Sequence, residues 1–211
     1  MNNRGRSGSA TAGAILILCG AMWLWVELVE DHVVPKRWAA VEKGCIYRSG
    51  QLSPSLVKKT LKRHKIAAIV DLTGDDPQDE AQQAEKKAAT ELGIRLTRFP
   101  LKGDGTGDIA SYAGAIAEIV RARRQGERVL VHCHAGVMRT GGVVACYRLL
   151  VERRTPHFVI EELRENRWDP KDGRILLDYV NEHLGELATT LRAARVIDEI
   201  PSPLPILNVR P

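Results

Sequence analysis

Cys133 and Arg139 are the two residues of this 211-residue chain whose types and spacing could do chemistry together. They lie in the stretch Val131-His132-Cys133-His134-Ala135-Gly136-Val137-Met138-Arg139-Thr140-Gly141. The apolar run from Arg128 to His132 reads as a buried strand that delivers Cys133 into a loop. The mostly apolar run from Arg139 to Glu152 reads as a helix that starts within that loop. A helix start offers backbone N–H groups without partners and the positive end of a dipole, and both suit a phosphate. The same field lowers a cysteine pKa from about 8.5 into the range of roughly 3.5 to 7.5. The sulfur is then a thiolate at neutral pH, ready to attack phosphorus. The amides of His134, Ala135, Gly136, Val137 and Met138 would cradle the phosphate, and Arg139 would bring a planar fork to two of its oxygens. Thr140 places a hydroxyl near the sulfur, where it could assist the thiolate as a leaving group.

Cleavage of a phosphate ester also needs a proton for the departing oxygen, from an acid on a loop that can close. The run Phe99 to Asp108 follows a strand, so it projects from the same sheet edge, and Gly103, Gly105 and Gly107 permit movement. Its two acids are Asp104 and Asp108. Asp104 could equally be an ordinary turn aspartate, and Asp108 stands where it can cap the helix that follows. Asp71, Asp75 and Asp76 sit on another strand-end loop and read as turn formers.

The elements that must position these residues alternate between strand and helix. Ile66 to Leu72 is a short apolar strand run, and Gln78 to Leu92 is rich in helix formers and stops at Gly93. Ile94 to Phe99 is the next strand, and a helix runs from Asp108 to about Arg124. Further helices are expected over Pro156 to Asn166 and from Arg174 to about Arg195, with an early strand at Cys45 to Tyr47. This pattern predicts an α/β fold, a central, mostly parallel sheet flanked by helices. Ligands of such sheets bind beyond the carboxyl ends of the strands, where the Cys133 loop lies.

The His-Cys-x5-Arg-Thr-Gly segment resembles the signature loop of the cysteine-dependent protein tyrosine phosphatase superfamily. The late position of the loop is similar to the dual-specificity branch. Tyr47-Arg48-Ser49-Gly50-Gln51 resembles the small bacterial and fungal members of that branch. The resemblance covers about residues 40 to 190. It implies a two-step hydrolysis: Cys133 attacks phosphorus to form a cysteinyl-phosphate, and water then releases phosphate. It places the acid on the Phe99–Asp108 loop, where Asp104 matches best and Asp108 is the alternative. It also makes His132 a supporting residue behind the loop. It implies no metal or organic cofactor. His132, Cys133 and His134 are a poor metal cluster in any case, because adjacent strand residues point to opposite faces.

Relatives that act on highly charged inositol lipids tend to carry lysines between the cysteine and the arginine. This loop has one histidine and no lysine there. Phosphotyrosine or phosphoserine/threonine proteins are therefore the first substrate expectation. An inositol phosphate or another small phosphoester is the second, with Lys102, Arg48 and Arg167 supplying charge from the rim. A catalytically silent phosphate-binding module is a third reading.

Hydrophobic residues make up 44% of the chain and charged ones 27%, which fits a chain folded around a core. The net charge of +5 is mild, and the Arg121–Arg124 cluster closes a helix rather than forming a stripe, so no nucleic-acid partner is expected. Four cysteines without a CxxC pair exclude a disulfide scaffold and the commonest zinc signatures. At the amino end, residues 1–11 read as a polar tail and 12–29 as a membrane anchor with Trp23 and Trp25 at its far end. A cleaved signal or a buried helix would look similar. Flanking charges leave the side of the membrane undecided. Residues 30–44 read as a linker, 45–195 as the phosphatase-like domain and 196–211 as a Pro-rich tail.

Overall fold

The computed structural model describes residues 34–209. Five strands form one sheet: β1 (Ala39–Glu42), β2 (Ile46–Gly50), β3 (Ile66–Asp71), β4 (Arg95–Arg98) and β5 (Arg128–Cys133). Their order across the sheet is β1-β2-β5-β3-β4, with β1 antiparallel to β2 and every other pair parallel. The expected mostly parallel sheet is present. Its central strand is β5, so Cys133 ends the middle of the sheet.

Six helices cover the two faces: α1 (Val57–His64), α2 (Glu80–Leu92), α3 (Ile109–Arg124), α4 (Met138–Leu150), α5 (Pro156–Glu165) and α6 (Arg174–Ala193). Their ends follow from local chemistry. Asp79 caps α2, accepting from the amides of Ala81 (2.8 Å) and Gln82 (3.1 Å), and Gly93 closes it in the left-handed region. Asp108 caps α3 through the Ala110 amide at 2.9 Å. Thr155 and Pro156 open α5.

Side chains alternate along β5. Val129, Val131 and Cys133 join the core built with α3, α4, α5 and α6, whereas Leu130 joins a smaller core with α1 and α2. Cys133 and His132 thus face opposite layers.

The structure adds detail to the sequence reading in three places. The stretch read as a linker over 30–44 contains β1, an edge strand of four residues in which Val41 alone is buried, too little for an alternation signal. Helix α1 has no counterpart among the expected elements; it spans eight residues, of which Lys58, Lys59, Lys62, Arg63 and His64 are basic. Within the 196–211 tail, Val196, Ile197 and Leu207 are buried, and Leu207 exchanges two 2.8 Å hydrogen bonds with Asn181 of α6. Ile206, by contrast, is exposed. The anchor expected at 12–29 lies outside the described residues. Among the described residues no helix is long and apolar enough to cross a membrane.

Candidate active site

The loop from Cys133 to Arg139 is shaped by what holds its carbonyls. His134 O accepts from the Gln51 amide at 3.1 Å, Ala135 O from Arg37 Nη1 at 2.6 Å, and Gly136 O from Arg48 Nη2 at 2.9 Å. In a planar trans peptide the N–H points opposite to the C=O. Three consecutive carbonyls tied outward therefore turn the amides of Ala135, Gly136 and Val137 inward. The Gly136 amide indeed donates to Cys133 Sγ at 3.1 Å. Gly136 adopts φ +75°, and a Cβ there would lie 2.6 Å from Gly50 N and 2.7 Å from Ser49 O, so glycine is required.

Cys133 is almost fully buried. Burial alone would push its thiol up. Thr140, through hydroxyl and amide, the Arg139 charge and the Gly136 amide outweigh that and hold it below its ordinary value. The Gly136 contact is the formed hydrogen bond among these, since Thr140 Oγ1 is buried without a bond at full geometry. Arg139 Nε is likewise buried and unpartnered, a donor waiting for an acceptor.

Behind β5, His132 Nε2 sits 3.0 Å from Glu85 Oε1 of α2 and 4.0 Å from Asp71 Oδ1. Burial disfavours the imidazolium, but Glu85, then Asp71 and Cys133, reverse that and raise its pKa to about 9. Asp71, Glu85 and His132 are close enough to share an ion. Asp71 is already taken, accepting from Thr73 N (2.8 Å), Thr73 Oγ1 (2.7 Å) and Arg98 Nε (2.7 Å). The group reads as a charge-balanced cluster behind the nucleophile.

On the other expected loop, Asp104 is half-buried and accepts from Thr106 N (2.9 Å) and Thr106 Oγ1 (2.8 Å). Those two bonds, led by the backbone one, hold its carboxyl below the usual range. The next residue, Gly105, packs so closely on the Met138 carbonyl that a Cβ would lie 3.2 Å from it. The backbone next to Asp104 therefore borders the end of the phosphate loop. Asp108 is exposed and engaged as the α3 cap. The loop is not the free hinge its glycines suggested: Tyr112 Oη donates to Gly105 O, and Tyr179 Oη donates to Gly107 O at 2.6 Å.

The structure thus gathers Cys133, His134 to Met138, Arg139 and Thr140 in one turn, with His132 behind and with Gly105, the neighbour of Asp104, packed on Met138. Sequence reasoning missed Arg37, Glu85 and the two tyrosines. It placed Arg48 on the rim, whereas this residue is 1% exposed and sits under the loop. The Tyr47–Gln51 segment was the available signal, because it ends at the residues that touch the loop.

A cysteine whose pKa is lowered by the Thr140 bonds, the Arg139 charge and an inward amide, at the carboxyl end of a central parallel strand, defines a cysteine-based phosphatase. The family model described as DSP-PTPase phosphatase fused to NAD+ kinase matches residues 27–175, and the chain belongs to this family. A probable dual specificity protein phosphatase of Dictyostelium discoideum is 26% identical over 180 residues, 84% of this chain and 76% of that protein. Dual specificity protein phosphatase TpbA of Pseudomonas aeruginosa is 25% identical over 148 residues, and the match spans 70% of this chain and 61% of TpbA. The TpbA crystal structure has a TM-score of 0.57 at 23% identity, covering 75% of this chain and 98% of that one. The core catalytic domain of the PP-IP phosphatase Siw14 from S. cerevisiae also gives 0.57, at 20% identity over 74% of this chain and 92% of that one. At these identities the structural likenesses bear on fold alone.

Proposed function

We propose that this chain hydrolyses phosphoric monoesters on phosphotyrosine or phosphoserine/threonine proteins through a cysteinyl-phosphate. The observation that carries the reading is the set of outward-tied carbonyls, which leaves inward amides and Arg139 Nε around a cysteine sulfur whose pKa is lowered. In the first step the Cys133 sulfur forms a bond to phosphorus as the bond to the leaving oxygen breaks. Asp104 gives its proton to that oxygen. In the second step water attacks phosphorus, the S–P bond breaks, and Asp104 takes the proton of the water. Arg139 and the loop amides hold the equatorial oxygens throughout. The absence of lysine between Cys133 and Arg139 supports a substrate of modest charge. TpbA has been crystallised with phosphotyrosine, which agrees in kind.

Inositol phosphates are the second reading, favoured by one observation. Arg37 grips the loop at Ala135, and the Lys36 stem lies against Gly50, so two cations border the phosphate loop. Arg48 is removed from that argument by its burial.

The full chain is expected to hydrolyse para-nitrophenyl phosphate in the presence of EDTA, and Cys133→Ser is expected to reduce kcat by at least about a thousandfold. Activity that survives Cys133→Ser sinks the nucleophile, and a folded but inactive wild type favours the silent binding module. Phosphopeptides and inositol phosphates compared by kcat/KM then separate the two substrate readings.

A further inference from the structure

The acid loop runs from Leu101 to Asp108 and is closed on itself: Lys102 N donates to Thr106 O (2.8 Å), and Gly105 N donates to Lys102 O (2.9 Å). Those internal bonds fix its shape but not its place. Leu101 N, donating to Leu72 O at 3.2 Å, ties its start to the end of β3, and two phenols on two different helices hold the rest from outside. Tyr112 of α3 donates to Gly105 O and Tyr179 of α6 to Gly107 O, so each tyrosine holds the backbone one or three residues beyond Asp104. The rings lie 5.8 Å apart, centroid to centroid. Tyr112 is 1% exposed, and burial holds its phenol well above the ordinary value, so it stays a donor across the working range.

Space has been cleared for this arrangement. Gly142 lies inside α4, where glycine weakens a helix. A Cβ at that position would collide with the Tyr112 hydroxyl. Gly105 is equally constrained, since a Cβ there would lie 2.7 Å from Leu176 of α6 and 3.2 Å from the Met138 carbonyl. Two glycines thus let one hydroxyl and one carbonyl meet beside the phosphate loop.

We propose that Tyr112 and Tyr179 are positioning residues that hold the Asp104 loop against the phosphate loop before substrate arrives, so that the proton donor is preset rather than brought in by closure. The inference rests on the reading of Asp104 as the acid. A proton donor matters most when the leaving oxygen is a strong base, and little when the leaving group departs readily as an anion. Two aryl phosphates therefore separate positioning of the acid from general disturbance of the fold: phenyl phosphate, a poor leaving group, and para-nitrophenyl phosphate, a good one.

In the full chain, Tyr112→Phe and Tyr179→Phe are each expected to lower kcat/KM, which reports the step in which the leaving oxygen departs, by about tenfold on phenyl phosphate and by less than about twofold on para-nitrophenyl phosphate. The ring is kept in both variants. Tyr179 is only half-buried, so its variant carries the test should Tyr112→Phe fail to fold. An equal loss of kcat/KM on both substrates, or an unchanged kcat/KM on phenyl phosphate, overturns the proposal. Asp104→Asn measured alongside locates the failure. An Asp104→Asn enzyme that shows no leaving-group selectivity overturns the acid assignment and this inference with it. Selective loss in Asp104→Asn beside unselective tyrosine variants overturns this inference alone.

Discussion

At the scale of single residues, Asp104 faces a conflict between its surroundings and its proposed task. A proton donor must carry a proton, yet the two bonds from Thr106 favour the carboxylate and hold its pKa down. The protonated form is populated below that lowered pKa, so the basic limb of the kcat/KM profile falls early. Thr106→Val removes the hydroxyl donor and keeps the backbone one. Its expected effect is a basic limb displaced to higher pH. A limb that stays in place would detach Asp104 from the profile. Cys133 presents the opposite case: burial alone would raise its pKa, and Thr140, Arg139 and the Gly136 amide lower it. Along one short chain of contacts the fold lowers two pKa values, one useful for attack and one that restricts proton donation to more acidic conditions.

At the scale of elements, α2 illustrates how a cap reaches the site. Asp79 accepts from two amides of its own helix and from Gln51 Nε2 at 3.0 Å, while Gln51 Oε1 lies 2.9 Å from His134 Nδ1. Asp79→Ala is expected to destabilise the protein by about 1 kcal/mol at neutral pH, the usual value of a cap. Burial raises the Asp79 pKa, but the bonds from Gln51 and the α2 amides outweigh it and leave the folded-state value depressed. Its contribution is therefore present above the unfolded-state carboxylate pKa and lost as pH falls through the lower folded one. Urea denaturation of both proteins should show a difference that shrinks on acidification; a constant gap would discard the linkage. Helix-forming composition ending at Gly93 made α2 legible in the sequence and the Asp108 cap made α3 so, as the apolar run did for β5. Helix α1 and strand β1 were not legible, because one is short and basic and the other buries a single side chain. The same contrast holds at the site. Cys133 to Thr140 are consecutive and could be read as a unit. Arg37 reaches Ala135 across 98 positions, and no one-dimensional pattern carries that meeting.

At the scale of the whole molecule, the described domain runs from Pro35 and the membrane reading of residues 12–29 is a separate proposal. Its expected outcome is that the full chain sediments with membranes and is released by detergent but not by high salt; release by salt alone would remove the anchor. Within the domain the sheet order has a consequence for how the molecule comes into being. The strand at its centre, β5, is the last of the five to be synthesised, and it lies between β2 and β3, which do not touch each other. A growing chain can form the β1–β2 hairpin and the β3–β4 pair, but it holds two separate fragments with a gap between them until residue 133 emerges. Joining strands so far apart in sequence is slow compared with forming local pairs. The reactive sulfur arrives on the strand that fills the gap, so the nascent chain has no phosphate loop until its sheet is whole. Appearance of thiolate reactivity during translation would then report completion of the fold itself, a clock built into the strand order.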